Sequence, residues 1–394
     1  MKDRITLILA LVCLALATGC MRLSDRHPAE TIVPALVWSY TIEDGQISSA
    51  YIEEKLAYLV IRMDGMPARV EAFDLADQQV RWVAFETTNV PLLLGDGKLF
   101  LLDRDEGVLS AISAEDGVAI WRIPLPARGY EYEIAFGDGL LFFGVGDSIY
   151  AIDATDGHVL WQRAMPLSFR INQAWLGTSA VYRDYDALSY HDGVLYVRLW
   201  EAIEDRAREG LLLTMDALDG RERWRFAFDV PAPQESPPCM VASRPAFEDG
   251  YLFFGDWMGR IYLMDEDTGK VIWQGQSEFP IARPLLQDKR VYLPTRSNLS
   301  CLNSETGEQL WSMSLSGLRI GSPIRAMGDA VIFIADYWGE RRTDLIVVNA
   351  RTGELINKLE IPLVEECGGC VTALAVEYGR LYVTWIRTIV AIDL

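Results

Sequence analysis

A nine-residue phrase that opens with Asp, Ser or Asn and closes with Trp recurs along this 394-residue chain, ending at Trp82, Trp121, Trp161, Trp224, Trp273 and Trp311. A repeat of this period decides the architecture first, because each unit buries its apolar face only against a neighbouring copy. The openings are Asp74, Ser113, Asp153, Asp216, Asp265, Asn303 and Asn349, with a further opening residue at Asp393. Four positions on stands Gly in six copies: Gly117, Gly157, Gly220, Gly269, Gly307 and Gly353. Gln78 takes that place in the first copy, and Asn357 takes the place of Trp in the seventh. A short Asp or Asn side chain bonds backbone amides two residues on, and Gly accepts positive φ, so the phrase reads as a tight hairpin.

A second hairpin signal lies upstream of each phrase, clearest at Asp96-Gly97, Asp138-Gly139, Asp192-Gly193 and Asp249-Gly250. Asp-Gly between short apolar β-forming runs favours a type I′ turn. Each repeat then supplies four strands in a meander, and such units repeated radially are propeller blades. The eighth copy reads to Asp393-Leu394 without a fourth strand, while Val37-Trp38-Ser39-Tyr40-Thr41 is a phrase ending without its beginning. We expect an all-β, eight-bladed β-propeller of four-stranded antiparallel blades, its ring closed by the N-terminal strand. An open solenoid shares the period but gives the complementary half-blades no purpose, and closure removes exposed sheet edges.

The phrase Ala151-Ile152-Asp153-Ala154-Thr155-Asp156-Gly157-His158-Val159-Leu160-Trp161 resembles the repeat of PQQ-type eight-bladed propellers. The resemblance spans essentially the whole chain after its first residues and implies the fold. Its functional implication divides between two groups. Quinoprotein alcohol dehydrogenases hold pyrroloquinoline quinone and Ca²⁺ in the channel, with a disulfide between adjacent cysteines; no Cys-Cys dipeptide occurs here, and no catalytic residue carries over. BamB-like lipoproteins are non-catalytic scaffolds of outer-membrane β-barrel assembly, and the near-minimal blades and acidic composition are similar to that group.

The first residues suit such a scaffold. Lys2 and Arg4 precede an apolar run from Ile5 to Ala17, too short for a comfortable membrane span. Leu16-Ala17-Thr18-Gly19-Cys20 resembles a bacterial lipobox with Cys20 as the lipid-bearing residue. We therefore read residues 1–19 as a signal peptide, 20–33 as a lipid-anchored tether and 34–394 as one propeller domain. The expected location is the periplasmic face of the outer membrane or the outer face of the cytoplasmic membrane. A net charge of -20 opposes binding to nucleic acid, and the membrane is expected to be met through the lipid alone.

Cys301 fills a slot that other copies give to Ala, which reads as a small buried residue. Cys367-Gly368-Gly369-Cys370 in an exported protein reads as a structural disulfide, since Glu365 and Glu366 disfavour the thiolate that a redox pair needs. The three His, at 27, 158 and 191, stand apart from Cys and carboxylates at metal spacing, and no G-x-S-x-G elbow is present. We expect no catalytic residue, no metal and no cofactor.

The irregular parts of the sequence gather on one face. In a meander the Asp-Gly and phrase turns share one end of the blades, while extra residues at Glu201 to Glu209 and Trp338 to Asp344, and the longest interblade connections, fall at the other. Trp175, Trp200, Trp257, Trp338 and Trp385 lie outside the phrases and at that end. They either anchor a partner or cap the gaps between blades. Arg244-Pro245 and Arg283-Pro284 start innermost strands and make a candidate anion site at the channel mouth, beside the plainer reading of ordinary strand starts. The expected function is a protein-interaction scaffold that takes an envelope protein or peptide on this face. A PQQ/Ca-dependent dehydrogenase and a sugar-binding propeller are the alternatives.

Overall fold

The computed structural model describes residues 32–394 except 64–65, 86–91, 104–105, 126–131, 146–147, 166–168, 172–187, 204–205, 229–243, 257, 279–282, 338–341, 362–370, 372, 378 and 386. Every regular element among the described residues is a β-strand. The strands form eight antiparallel sheets arranged as a ring, an eight-bladed β-propeller. Blades 1 to 7 follow the chain, each a meander, and blade 8 unites β32 (Ala373–Glu377), β33 (Arg380–Thr384) and β34 (Thr388–Asp393) with β1 (Ala35–Thr41).

The register of closure repeats that of the other blades. Trp38 stands opposite Ala391 as Trp161 stands opposite Ala151 and Trp121 opposite Ala111, with the same β-bulge at the residue before each Trp. The bulge adds a residue that turns the ring of the Trp toward the next blade.

Both turn types have the expected backbone. Asp96 and Gly97 take φ of 49° and 66°, and Asp138 and Gly139 take 50° and 72°, the two positive values that a type I′ turn requires. In the phrase turns the opening side chain caps the amides that follow: Asp74 Oδ1 accepts from Ala76 and Asp77 at 2.8 Å, and Asn303 Oδ1 accepts from Glu305 at 2.8 Å and Thr306 at 3.0 Å.

The core is a series of apolar clusters, each shared by adjacent blades. One joins Phe100 and Ala111 of blade 2 to Phe143 and Ile152 of blade 3. The Trp of each phrase completes this packing and donates its indole N–H to the carbonyl just past the opening residue of the next phrase. Trp82 bonds Ala114, Trp121 bonds Ala154, Trp161 bonds Ala217, Trp224 bonds Glu266, Trp273 bonds Ser304 and Trp311 bonds Ala350, all at 2.7–3.1 Å. The repeat is therefore an interblade clasp. Cys301 is buried and unoxidised, opposite Trp311, as a small core residue; burial pushes its thiol up to about 12.

Asn357, the exception, faces the seam between blades 7 and 8. There β34 and β1 come from distant parts of the chain, so no hairpin links the third strand of blade 8 to its fourth. Asn357 Nδ2 instead donates to the Ile32 carbonyl at 3.4 Å, and Ile32 packs in the core shared by the two blades. Gln78, the exception at the Gly position, adopts φ of 55° and keeps the turn.

Blades 4 and 7 depart from four continuous strands, because the first strand of each is split. In blade 4, β14 (Phe169–Ile171) and β15 (Leu188–His191) both pair with β16 (Val194–Ile203); in blade 7, β27 (Leu318–Ile320) and β28 (Arg325–Met327) both pair with β29 (Ala330–Tyr337). A lengthened second strand offers more edge than one short strand covers, and the incoming chain fills it in two pieces.

Candidate interaction face

The lengthened hairpins of blades 4 and 7 extend away from the Asp-Gly and phrase turns, at the face the sequence marks as irregular. β16 continues its ladder with β17 (Arg206–Asp216) out to Ile203 opposite Arg206, and β14 adds Arg170 opposite Trp200. Trp200 thus stands on the middle strand of a three-stranded tip. In blade 7, β29 pairs with β30 (Thr343–Asn349) out to Asp336 opposite Thr343, and β27 places Arg319 opposite Asp336.

Two buried carboxylates fix the blade 7 tip. Asp336 accepts the Thr343 hydroxyl at 2.7 Å and lies 3.7 Å from the Arg319 guanidinium. Burial raises its pKa above the ordinary Asp value, and the Thr343 hydroxyl and Arg319 only partly offset this. Asp344 is fully buried and accepts from the Tyr337 hydroxyl at 2.6 Å and from Arg342 at 3.0 and 2.9 Å, with Lys358 3.9 Å away. The same Arg342 guanidinium lies over the Tyr337 ring at 4.7 Å. A charge in the interior is tolerated only when its lone pairs are met in this way, and truncating one partner costs several kcal/mol, on the order of 3–5. The ends of β29 and β30 on either side of this hairpin's tip are therefore tied to one another.

Blade 5 repeats the device in a tight turn. Asp256, fully buried, accepts the amides of Met258 and Arg260 at 2.9 Å and the Arg260 guanidinium at 2.5 Å. Met258, exposed, projects from it. Blade 6 uses Thr295, whose hydroxyl caps Asn298 N at 3.1 Å and donates to Glu278 at 3.1 Å. Asp256, Asp336, Asp344 and their arginines are the residues that sequence reasoning missed. The available signal was an Asp ending an apolar run, as in Phe253-Phe254-Gly255-Asp256.

The expected site residues fare differently. Trp385 is a correction to the interaction-face reading: it is 5% exposed and packs with Val371, Leu374 and Ile361 between blades 7 and 8, so its ring fills the gap between blades. Its position directly after β33 is as expected, but the neighbouring blade covers it. Trp200 lies on β16 as described, while Trp175, Trp257 and Trp338 lie outside the described residues, as do Cys20, Cys367 and Cys370. Arg244 is half-buried and Arg283 exposed, each two residues before an innermost strand, β19 (Ala246–Glu248) and β23 (Leu285–Gln287). Tyr51 of blade 1 joins Arg244. Burial and Glu53 raise its phenol pKa, while Arg244 and Arg325 act to lower it. Arg244 of blade 5 and Arg325 of blade 7 thus both act on a side chain of blade 1. Among the described residues no three His, Cys, Asp or Glu side chains converge to hold a metal ion.

Comparison with known proteins places this geometry in context. A family profile, that of the outer membrane protein assembly factor BamB, matches residues 67–198, 104–278 and 208–383. The outer membrane protein assembly factor BamB of Francisella tularensis is 28% identical over 124 residues, 31% of this chain and 25% of that protein, so the likeness spans about a quarter of the relative's length. The crystal structure of BamB from Moraxella catarrhalis superposes with a TM-score of 0.67 at 15% identity, covering 92% of this chain and 100% of that one. The quinohemoprotein alcohol dehydrogenase of Comamonas testosteroni superposes with a TM-score of 0.59 at 14% identity, covering 94% and 78%. At these identities the two structures share the fold with this chain.

Proposed function

We infer the function from the family, since the chain belongs to the family of the outer membrane protein assembly factor BamB, PQQ-repeat propellers. We propose that it is a lipid-anchored, non-catalytic scaffold in the cell envelope, carrying out protein-interaction work of the kind named for that family, assembly of outer-membrane proteins. Cys20 bears the lipid in this reading, and Cys367 and Cys370 close a disulfide beside the docking face.

The observation that carries the reading is the asymmetry of the ring. The turn face is built from nearly identical hairpins, whereas the open face bears the two lengthened tips, one locked by Asp336 and Asp344. An irregular surface carried on tied strand ends is suited to holding a protein chain in one orientation. Trp200, Trp257, Trp338 and Trp175 are the proposed contacts, and Arg244 with Arg283 the proposed site for an acidic group of the partner.

The test is photo-crosslinking from positions 200 and 338 in intact membranes, followed by identification of the captured protein. Capture of an outer-membrane assembly component supports the scaffold. Dye-linked alcohol oxidation by the purified chain after reconstitution with pyrroloquinoline quinone and Ca²⁺ would overturn it in favour of a dehydrogenase. Quenching of Trp fluorescence by a sugar, abolished by Trp200→Ala, would favour a sugar-binding propeller instead.

A further inference from the structure

The chain enters the ring on its turn face. β1 runs antiparallel to β34 with Ala35 opposite Asp393 and Thr41 opposite Thr388. Asp393 occupies the phrase-opening place, so β1 begins at the turn end and finishes at the open end. Just before it, Pro34 is buried and Ile32 is 2% exposed in the core shared by blades 7 and 8. Its carbonyl is also held by Asn357, so the ring grips the N-terminal segment at Ile32.

The rim on that side is also apolar in an unusual way. In each fourth strand, the residues at or just before the bulge lie near the turn face, and many are aliphatic: Val80, Ile120, Leu160, Ile272, Leu310 and Leu355 are 37–52% exposed. Val33, beside the grip point, is 67% exposed. The inner turns of this face add the carboxylates of Asp96, Asp138 and Asp249, which repel anionic headgroups and leave neutral ones as the compatible surface.

We propose that the turn face is the membrane-proximal side of the ring, and that the open face with its two extended tips is turned away from the bilayer toward a protein partner in the aqueous compartment. The proposal rests on the reading of Cys20 as the lipid anchor. Twelve residue steps from Cys20 to Ile32 reach at most about 43 Å when fully extended. A six-residue strand is about 20 Å long, so a bilayer on the open side would consume about half of that reach merely in passing the blade, before clearing the tips. A bilayer on the turn side needs none of it. Anchor and docking surface then occupy opposite ends of the molecule, and a partner meets the open face without competing with lipid.

The test uses the full-length chain, purified after export and reconstituted in phosphatidylcholine vesicles that contain an acceptor-labelled headgroup. A fluorescent amino acid is placed in blade 6 either at Glu308, in the phrase turn, or at Ser316, in the connection at the open end; both residues are exposed. Energy transfer to the headgroups is expected to be higher from position 308 than from 316. Equal or reversed transfer overturns the orientation. Intact mass and loss of vesicle association in Cys20→Ser report separately on the anchor: a chain that carries no lipid sinks the anchor reading and the orientation with it, whereas a lipidated chain with reversed transfer sinks the orientation alone.

Discussion

The indole N–H of Trp273 donates to the Ser304 carbonyl at 2.7 Å, and the same ring lies over Gly307, where an added Cβ would come within 2.9 Å of it. One side chain of blade 5 thus fixes both the conformation and the composition of a turn in blade 6. Trp and Gly recur together in the sequence because they touch across the gap between blades, not within one hairpin.

Gly307→Ala tests the clasp. The residue has φ of 74°, and a Cβ there meets both the backbone penalty of the left-handed region, about 1–2 kcal/mol, and the Trp273 ring. Gly97 has φ of 66° with nothing within 4 Å of a built Cβ, so Gly97→Ala meets the backbone penalty alone. The expected order of melting temperature is wild type, then Gly97→Ala, then Gly307→Ala. Equal melting temperatures for the two variants would show that ring contact adds nothing.

The repeat made the ring and its closure legible, since turn chemistry and strand period are local properties that survive without knowledge of neighbours. The open-face tips were legible only as extra length. What orders the blade 7 tip is a pairing of Asp336 with Arg319 from a different strand and of Asp344 with Arg342, and only the register of β27 on β29 brings the first pair together. At Trp385 the choice between partner anchor and gap filler stayed open in the sequence for the same reason. Its place at a strand end is local, but its burial is decided by Ile361 and other residues of the adjacent blade.

Asp336 of the open face and Asp216 of the turn face respond to pH with opposite sign. At Asp336 burial raises the pKa in the fold, so its contribution is present below the unfolded value and lost as pH rises through the folded one. Asp336→Asn, whose amide oxygen still accepts from Thr343, should gain stability relative to wild type as pH rises. At Asp216 the Arg223 hydrogen bond is the largest influence and lowers the pKa, so stability is present above the unfolded value and lost as pH falls through the folded one. Asp216→Asn should therefore be destabilised at neutral pH and converge on wild type in acid. Denaturant midpoints of both variants across the acid-to-neutral range decide this, and parallel curves for either would refute its assignment.

Asp344 tests how the blade 7 tip is held. Asp344→Ala leaves Arg342 and the Tyr337 hydroxyl without the carboxylate that both address, at a cost of about 1–3 kcal/mol, that of leaving such donors unsatisfied, because Arg342 is partly exposed. Glu354→Ala, in the exposed phrase turn of the same blade, should cost no more than about 0.5 kcal/mol. Hydrogen exchange provides the local readout: amides of β29 and β30 near Asp336 and Thr343 should lose protection in Asp344→Ala while those of blade 2 keep it. Uniform loss across the ring would mean that the cluster supports global stability and does not specifically order the tip.

The seam between blades 7 and 8 gives the last expectation. Ile32 fills a core position there and Val33 does not, although the two are adjacent in sequence. Ile32→Ala should cost about 2–5 kcal/mol, the range for a buried Ile reduced to Ala, and Val33→Ala close to nothing. Asn357→Trp restores the repeat's own residue, yet it should destabilise, because the ring would displace Ile32 from its contact with position 357. Chemical denaturation of the three variants measures all of this. A stabilised Asn357→Trp would show that the slot is an ordinary clasp site, and that the N-terminal segment does not take the place of the missing turn.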